Sequence, residues 1–173
     1  MALNLKHDDA IISFNYTNTY NRVYINNIVR QENIHFIHGE ARLDNKGKNN
    51  MIIGIDETLD ESINERLDYV RFKKYFQRII KGSDTSYKKI FKNKTNSDEP
   101  IEVFVFGHSL DVTDRDIIRD IFTDEKTTVT VFSYDEESQI QHVANLIKII
   151  DKEEVIKSTY DDEPKVKFKL QTV

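Results

Sequence analysis

A chain of 173 residues, 38% hydrophobic and 32% charged, can bury one sizeable core and is too short for two independent ones, so one compact unit is expected. With no cysteine, it has no disulfide framework, thiolate nucleophile or thiolate zinc site. A net charge of -5 gives no global attraction to nucleic acid and leaves only local basic patches to provide one.

Ala10 to Phe14 is an apolar, β-branched run after His7-Asp8-Asp9, too short for a helix, and reads as a buried strand. Asn15, Tyr16, Thr17 and Asn18 follow as a loop, with Thr17 or Asn18 placed to cap a helix carrying Val23, Ile25, Ile28 and Val29. Ile34 to Ile37 reads as a second strand ending at His38-Gly39. Met51 to Gly54 reads as a third, beyond the turn-rich segment from Asp44 to Asn50. From Thr58 to about Asn93, the spacing of Leu59, Ile63, Leu67 and Val70, then Phe72, Phe76, Ile79 and Ile80, predicts helices. Ile101 to Phe106 scarcely alternates and is expected to be a central parallel strand buried on both faces. It ends in Gly107-His108-Ser109-Leu110, after which Thr113 or Asp114 can cap a helix with Ile117, Ile118, Ile121 and Phe122. Thr127 to Phe132 predicts another strand, and Ile140, Val143, Ile147 and Ile150 another helix.

Strands alternating with helices imply an α/β fold with a three-layer, mainly parallel sheet, because parallel neighbours need crossovers. The expected layout is one domain over 1–150 with a helical insertion at 58–93. Residues 151–173 form an acidic tail whose Val166 to Leu170 is either an edge strand or mobile. No apolar run approaches the roughly 20 residues that span a bilayer, and Met1 to His7 lacks a signal-peptide stretch, so a cytoplasmic protein without membrane contact is expected.

Ligands of open parallel sheets bind beyond the strands' carboxyl ends, which singles out Asn15, His38 and Ser109, although polar residues there also simply cap helices. His38 is the general-base candidate, since imidazole titrates near neutral pH and Gly39 opens the backbone beside it; the alternative is a hydrogen-bonded structural histidine. His35, three residues earlier and on the other face, reads as structural or exposed. Gly107-His108-Ser109 leads from strand to helix and can present N–H groups and a hydroxyl to a phosphate or ribose. It is neither a phosphate-binding loop with its lysine nor a three-glycine dinucleotide fingerprint, and Asp111 replaces the second glycine of a nucleophile elbow. Asp111, Asp114 and Asp116 are read as answering the helix dipole, and no metal is expected. Between Arg71 and Lys94, nine basic residues face one acid, Asp84, so Lys73, Lys74 and Arg78 are candidates for nucleic acid. The interleaved Phe72, Tyr75, Phe76, Tyr87 and Phe91 either stack bases or form the helices' buried stripe.

Taken in order, Phe14-Asn15-Tyr16-Thr17-Asn18-Thr19, Ile37-His38-Gly39, Phe72-Lys73-Lys74-Tyr75-Phe76-Gln77-Arg78-Ile79 and Phe106-Gly107-His108-Ser109-Leu110 with Asp114 resemble the AbiH family of bacteriophage abortive-infection proteins. The resemblance covers most of residues 10–150. The family usually begins with a strand and a glycine-asparagine-glycine turn that this chain lacks, so the chain resembles a carboxyl-terminal portion. More distantly, the strand ends resemble those of the sirtuin-like fold, which binds NAD. That resemblance implies that Asn15 orients a water or the nicotinamide ribose, and that His38 is the base acting on a ribose hydroxyl or water. It also implies that Gly107 and Ser109 touch the adenosine side, with Tyr16, Thr17, Gly39, His108 and Asp114 among the ligand contacts. Thr17 stands where sirtuins carry an aspartate, and without cysteine there is no sirtuin zinc module, so deacylation is not implied.

The expectation is a phage-defence domain that binds a nucleotide, NAD by resemblance, and whose complete form hydrolyses it, with little catalysis by this chain alone. The alternative is a non-catalytic module that binds nucleic acid or a phage component through Lys73, Lys74 and Arg78. A third reading is a structural interaction domain. A homo-oligomer is compatible with all three.

Overall fold

The computed structural model describes residues 4–23, 28–41, 50–54, 67–82, 87–95 and 100–171. Ile25, Leu59 and Ile63, on which part of the helix expectation rests, lie outside them, as does most of the 44–50 turn. The described residues fall into two compact units, Met1–Lys92 and Asn93–Val173. All strand pairings among them are parallel, and the fold class is α/β.

In the first unit, β1 (Ile11–Ser13) pairs with β2 (Ile34–Phe36), placing Ile11 opposite Ile34 and Ser13 opposite Phe36. The connection holds α1 (Thr19–Val23), where Asn18 Oδ1 accepts the Asn21 N–H at 3.3 Å in the manner of an amino-terminal cap. Ile28 and Val29 lie beyond this helix, and only Val29 is buried. Met51 to Gly54 is not a third strand. Ile52 is fully buried and donates its N–H to the His38 carbonyl at 2.8 Å. However, both backbone groups of Ile53 are taken by one side chain, Gln77, which accepts at 3.1 Å and donates at 3.0 Å. A side-chain amide thus occupies the ladder positions a neighbouring strand would need.

The helical stretch contains α2 (Leu67–Val70), α3 (Lys74–Lys81) and α4 (Tyr87–Thr95). Gly82, left-handed at φ 57°, closes α3 by donating its N–H to the Arg78 carbonyl. The apolar spacing predicts the helix but not a uniformly buried stripe. Tyr87 is buried, whereas Phe72, Tyr75, Ile79 and Ile80 are exposed.

In the second unit, β3 (Ile101–Phe106), β4 (Thr127–Ser133) and β5 (Val166–Leu170) form a sheet in that order. The expectation of a central β3 buried on both faces is corrected: β4 is the middle strand. Along β3, exposed Glu102, Phe104 and Phe106 alternate with more buried Ile101, Val103 and Val105. The ring of Phe106 nevertheless stacks on that of Phe132, centroids 4.4 Å apart, so its exposed face is one side of an aromatic pair.

Between β3 and β4 runs α5 (Arg115–Thr123), which buries Ile117, Ile118, Ile121 and Phe122 as its spacing predicts. After β4 comes α6 (Glu136–Ile150), begun by a capping box in which Asp135 accepts the Ser138 N–H at 2.8 Å and the Ser138 hydroxyl accepts the Asp135 N–H at 3.0 Å. The expected α6 face is rotated: Ile140 is exposed, while His142, Asn145, Leu146, Ile149 and Ile150 are buried. The residues read as an acidic tail hold α7 (Lys152–Tyr160) and β5, which is an edge strand, one of the two readings its sequence allowed. Asp151 both ends α6 and starts α7, at φ 71°, with its carboxylate accepting the Glu154 N–H. On β5, Lys167 and Lys169 are exposed. Among the described residues no helix is long and apolar enough to cross a membrane.

Candidate functional site

The carboxyl ends of β1 and β2 carry the first unit's candidates. A chain leaving parallel strands must turn sharply there, and Gly39 does so at φ 80°. A Cβ at Gly39 would lie 2.3 Å from the Asn50 carbonyl oxygen, so the 50s segment packs directly on this backbone. The Glu40 N–H donates to Asn50 Oδ1 at 3.2 Å, fixing the same approach from the next residue.

His38 is only 4% exposed, with its ring edge-on to Phe14 (5.7 Å) and tilted against Tyr16 (6.2 Å). Tyr16 is anchored at both ends: its hydroxyl donates to the Ile52 carbonyl at 2.5 Å and its own carbonyl accepts the Ala41 N–H at 2.8 Å. Asn15 and Thr17 are exposed, and the Thr17 hydroxyl lies 3.0 Å from that of Thr19. Buried Glu40, which the sequence reading did not single out, accepts from Asn18 Nδ2 at 3.2 Å. The β1 and β2 ends therefore offer two exposed polar side chains, Asn15 and Thr17, above a packed layer of Tyr16, His38 and Glu40.

In the second unit Gly107 turns the chain at φ 62°, and a Cβ there would meet open space, so glycine serves the backbone angle alone. Leu110, fully buried, also takes a positive φ of 52°, a conformation that costs a non-glycine residue about 1–2 kcal/mol. The compensation comes from His108, whose Nδ1 accepts the Leu110 N–H at 3.0 Å. An accepting Nδ1 places the ring proton on Nε2, which faces Asp114 Oδ2 at 3.6 Å. Asp114 is thus a buried partner of His108. The side chain that accepts the Thr113 N–H, at 2.9 Å, belongs to Asp111 rather than to Thr113 or Asp114. Ser109 is exposed.

The second unit's loop is also gripped by residues that sequence reasoning missed. On α6, Asn145 Nδ2 donates to the Ser109 carbonyl at 3.0 Å, and Gln141 Nε2 in turn donates to Asn145 Oδ1 at 2.9 Å. The His142 ring pairs through Nδ1 with the fully buried Ser133 hydroxyl at 2.9 Å. Ser133 directly follows the apolar run of β4, so the strand-end rule that picked out Asn15, His38 and Ser109 would also have found it. His142 and Asn145 carry no such signal, because polar residues within an apolar helix spacing read as its wet face.

Burial holds the His142 pKa below its ordinary value of 6.5, against the opposing pull of the His108 backbone carbonyl. The stabilisation from a neutral, buried His142 is complete above about pH 6.5. It is lost as the pH falls from there through the depressed folded value, since the unfolded chain binds the proton first. Scanning calorimetry between pH 7.5 and 5 should show a falling melting temperature, and His142→Gln should flatten that slope. An equal slope in the variant would assign the acid sensitivity elsewhere.

Of the three basic candidates, Lys73 is 4% exposed and packs its ammonium 6.0 Å from the Tyr75 ring centre, while Lys74 and Arg78 are half-buried. Asn15, Tyr16, Thr17, His38 and Gly39 belong to the first unit, and Gly107, His108, Ser109 and Asp114 to the second.

A family model described as Bacteriophage abortive infection AbiH matches residues 1–135. The chain belongs to the AbiH family. The match takes in all four motifs that carried the resemblance and ends at Asp135, the cap of α6, so the α6 residues gripping the AbiH chain's 107–110 loop lie beyond it. No curated protein and no solved structure matches this AbiH chain.

Proposed function

We propose that this AbiH-family chain serves abortive infection by binding a nucleotide, NAD in the reading favoured here, at the carboxyl ends of its parallel strands. The observation that supports it most is the glycine turn at positive φ after β3, Gly107, which has open space on its Cβ side and stands near the exposed Ser109. Turns of this kind let a ligand approach the backbone at the end of a parallel sheet where such ligands bind. Asn15 is assigned to orienting a water or the nicotinamide ribose, and His38 to taking a proton from a ribose hydroxyl or water in the complete protein. Within the second unit the resemblance assigns Gly107, His108, Ser109 and Asp114 to ligand contacts, and within the first Tyr16, Thr17 and Gly39. The chemistry requires no metal ion.

Calorimetric titration of the chain and of the full-length protein with NAD, ADP-ribose and ATP tests this reading. Saturable binding of NAD is the expected result. Absence of binding by any of the three to either protein would overturn it.

A further inference from the structure

The order β3-β4-β5 carries the chain across the sheet in one direction, and right-handed crossovers then place both connections on the same face. Helices α5 and α6 pack against β4, α6 and α7 against β5, and neighbouring helices pack on each other. Val129, Val131, Ser133 and Val166 are buried. Alternation sends the intervening residues to the opposite face. There the register sets out three parallel columns: Glu102, Phe104 and Phe106 on β3, Thr128, Thr130 and Phe132 on β4, and Lys167 and Lys169 on β5. Phe104 and both lysines are exposed, and Phe106 is 49% exposed.

Phenylalanines grouped in water on a sheet face mark a contact surface. The Phe106 ring lies within 4° of parallel to the buried Phe132 ring at 4.4 Å, and Phe104 leans on the same ring at 6.4 Å. Rings held this way offer their free sides with little further loss of side-chain freedom. Two strand spacings away, about 10 Å, Lys167 stands in the row of Phe104 and Lys169 in the row of Phe106. Rings along one strand and cations along another match a polymer with flat bases on one side and phosphates on the other. A second copy of the chain fits less well, because face-to-face packing would bury the lysines and Glu102 along with the rings. A duplex keeps its bases stacked inside, so the matching form is a single strand.

We propose that this open face of the β3-β4-β5 sheet binds single-stranded nucleic acid, stacking bases on Phe104 and Phe106 and pairing phosphates with Lys167 and Lys169. Glu102, at the amino end of the aromatic column, repels the phosphates and limits the footprint to the two rings. The surface uses none of the strand-end residues assigned above and does not depend on the nucleotide reading.

Fluorescence anisotropy with labelled oligouridine, oligothymidine and a duplex of equal length tests this. Both single strands should bind at low salt, more tightly than the duplex, with a logarithmic salt slope of about −1.4 for two phosphate contacts. Phe104→Leu and Phe106→Leu keep apolar contact with Phe132 but lose the stacking face, and each should weaken binding about tenfold. Changing Lys167 and Lys169 together to glutamine should remove most of the salt slope, and these exposed side chains make it the variant least dependent on packing. Tyr160→Ala, at an exposed ring on α7, should bind as wild type does. Failure of the wild-type chain to bind either strand at low salt overturns the proposal, as does unchanged binding by both leucine variants. So does a wild-type dimer in sedimentation that Phe106→Glu dissociates, which would give the face to a second copy.

Discussion

Replacing Gly39 with alanine is expected to destabilise the first unit by about 2–5 kcal/mol, a sum of two separable effects. The left-handed backbone at φ 80° accounts for about 1–2 kcal/mol, because an L side chain there crowds its own carbonyl. The rest comes from placing a methyl 2.3 Å from the Asn50 carbonyl oxygen and 2.6 Å from its carbon. Those are backbone atoms, so relief requires the 50s segment to move away, with loss of the Ile52 N–H bond to His38 and of the burial of Ile52. Overpacking of this kind costs about 1–3 kcal/mol. Gly107→Ala is the control: its φ of 62° carries the same strain, but its Cβ meets open space. Urea denaturation should therefore separate the two variants, Gly107→Ala losing only the backbone part. Equal losses would show that contact with Asn50 contributes nothing.

His38→Ala carries the largest functional expectation. If His38 is the base of a nicotinamide-releasing reaction in the full-length protein, its removal should slow that reaction by about 100- to 10,000-fold, the usual contribution of a positioned proton acceptor. Protection against phage should fall with it. His38 also packs between Phe14 and Tyr16, so truncation leaves a cavity, and His38→Gln serves as the volume-preserving companion. Both variants should lose turnover, while the glutamine variant keeps the wild-type melting temperature. Release of nicotinamide at the wild-type rate by His38→Gln would remove the catalytic assignment and leave a nucleotide-binding module.

The parts of the fold that were legible in the sequence are those whose periodicity is simple. Ile117, Ile118, Ile121 and Phe122 repeat at helical spacing and are all buried, and the β-branched run Thr127 to Phe132 is the central strand. Three elements escaped because side chains supply what the pattern does not encode. Met51 to Gly54 has the composition of a strand, but Gln77 occupies its hydrogen-bonding groups. The α6 face was misjudged because His142 and Asn145 are polar yet buried, their cost offset by Ser133 and the Ser109 carbonyl, while Ile140 is left in water. Helix α7 has few apolar residues, and its one sequence mark, Asp151 three residues before Glu154, is a capping pattern hidden among other acids. Of the candidate sites, the strand-end positions were legible from chain order alone. The grip of α6 on the 107–110 loop was not, because Asn145 and Ser109 are 36 residues apart and nothing local links them.

The edge strand β5 has a consequence for the protein at high concentration. An open strand edge is a template on which another chain can grow a sheet, and growth of that kind ends in fibres. Along β5 the alternation Val166-Lys167-Phe168-Lys169-Leu170 sets two ammonium groups on one face, beside an edge whose other face is apolar. Two copies joined along that edge would bring four like charges into one short row, and their repulsion keeps the strand a boundary rather than a seed.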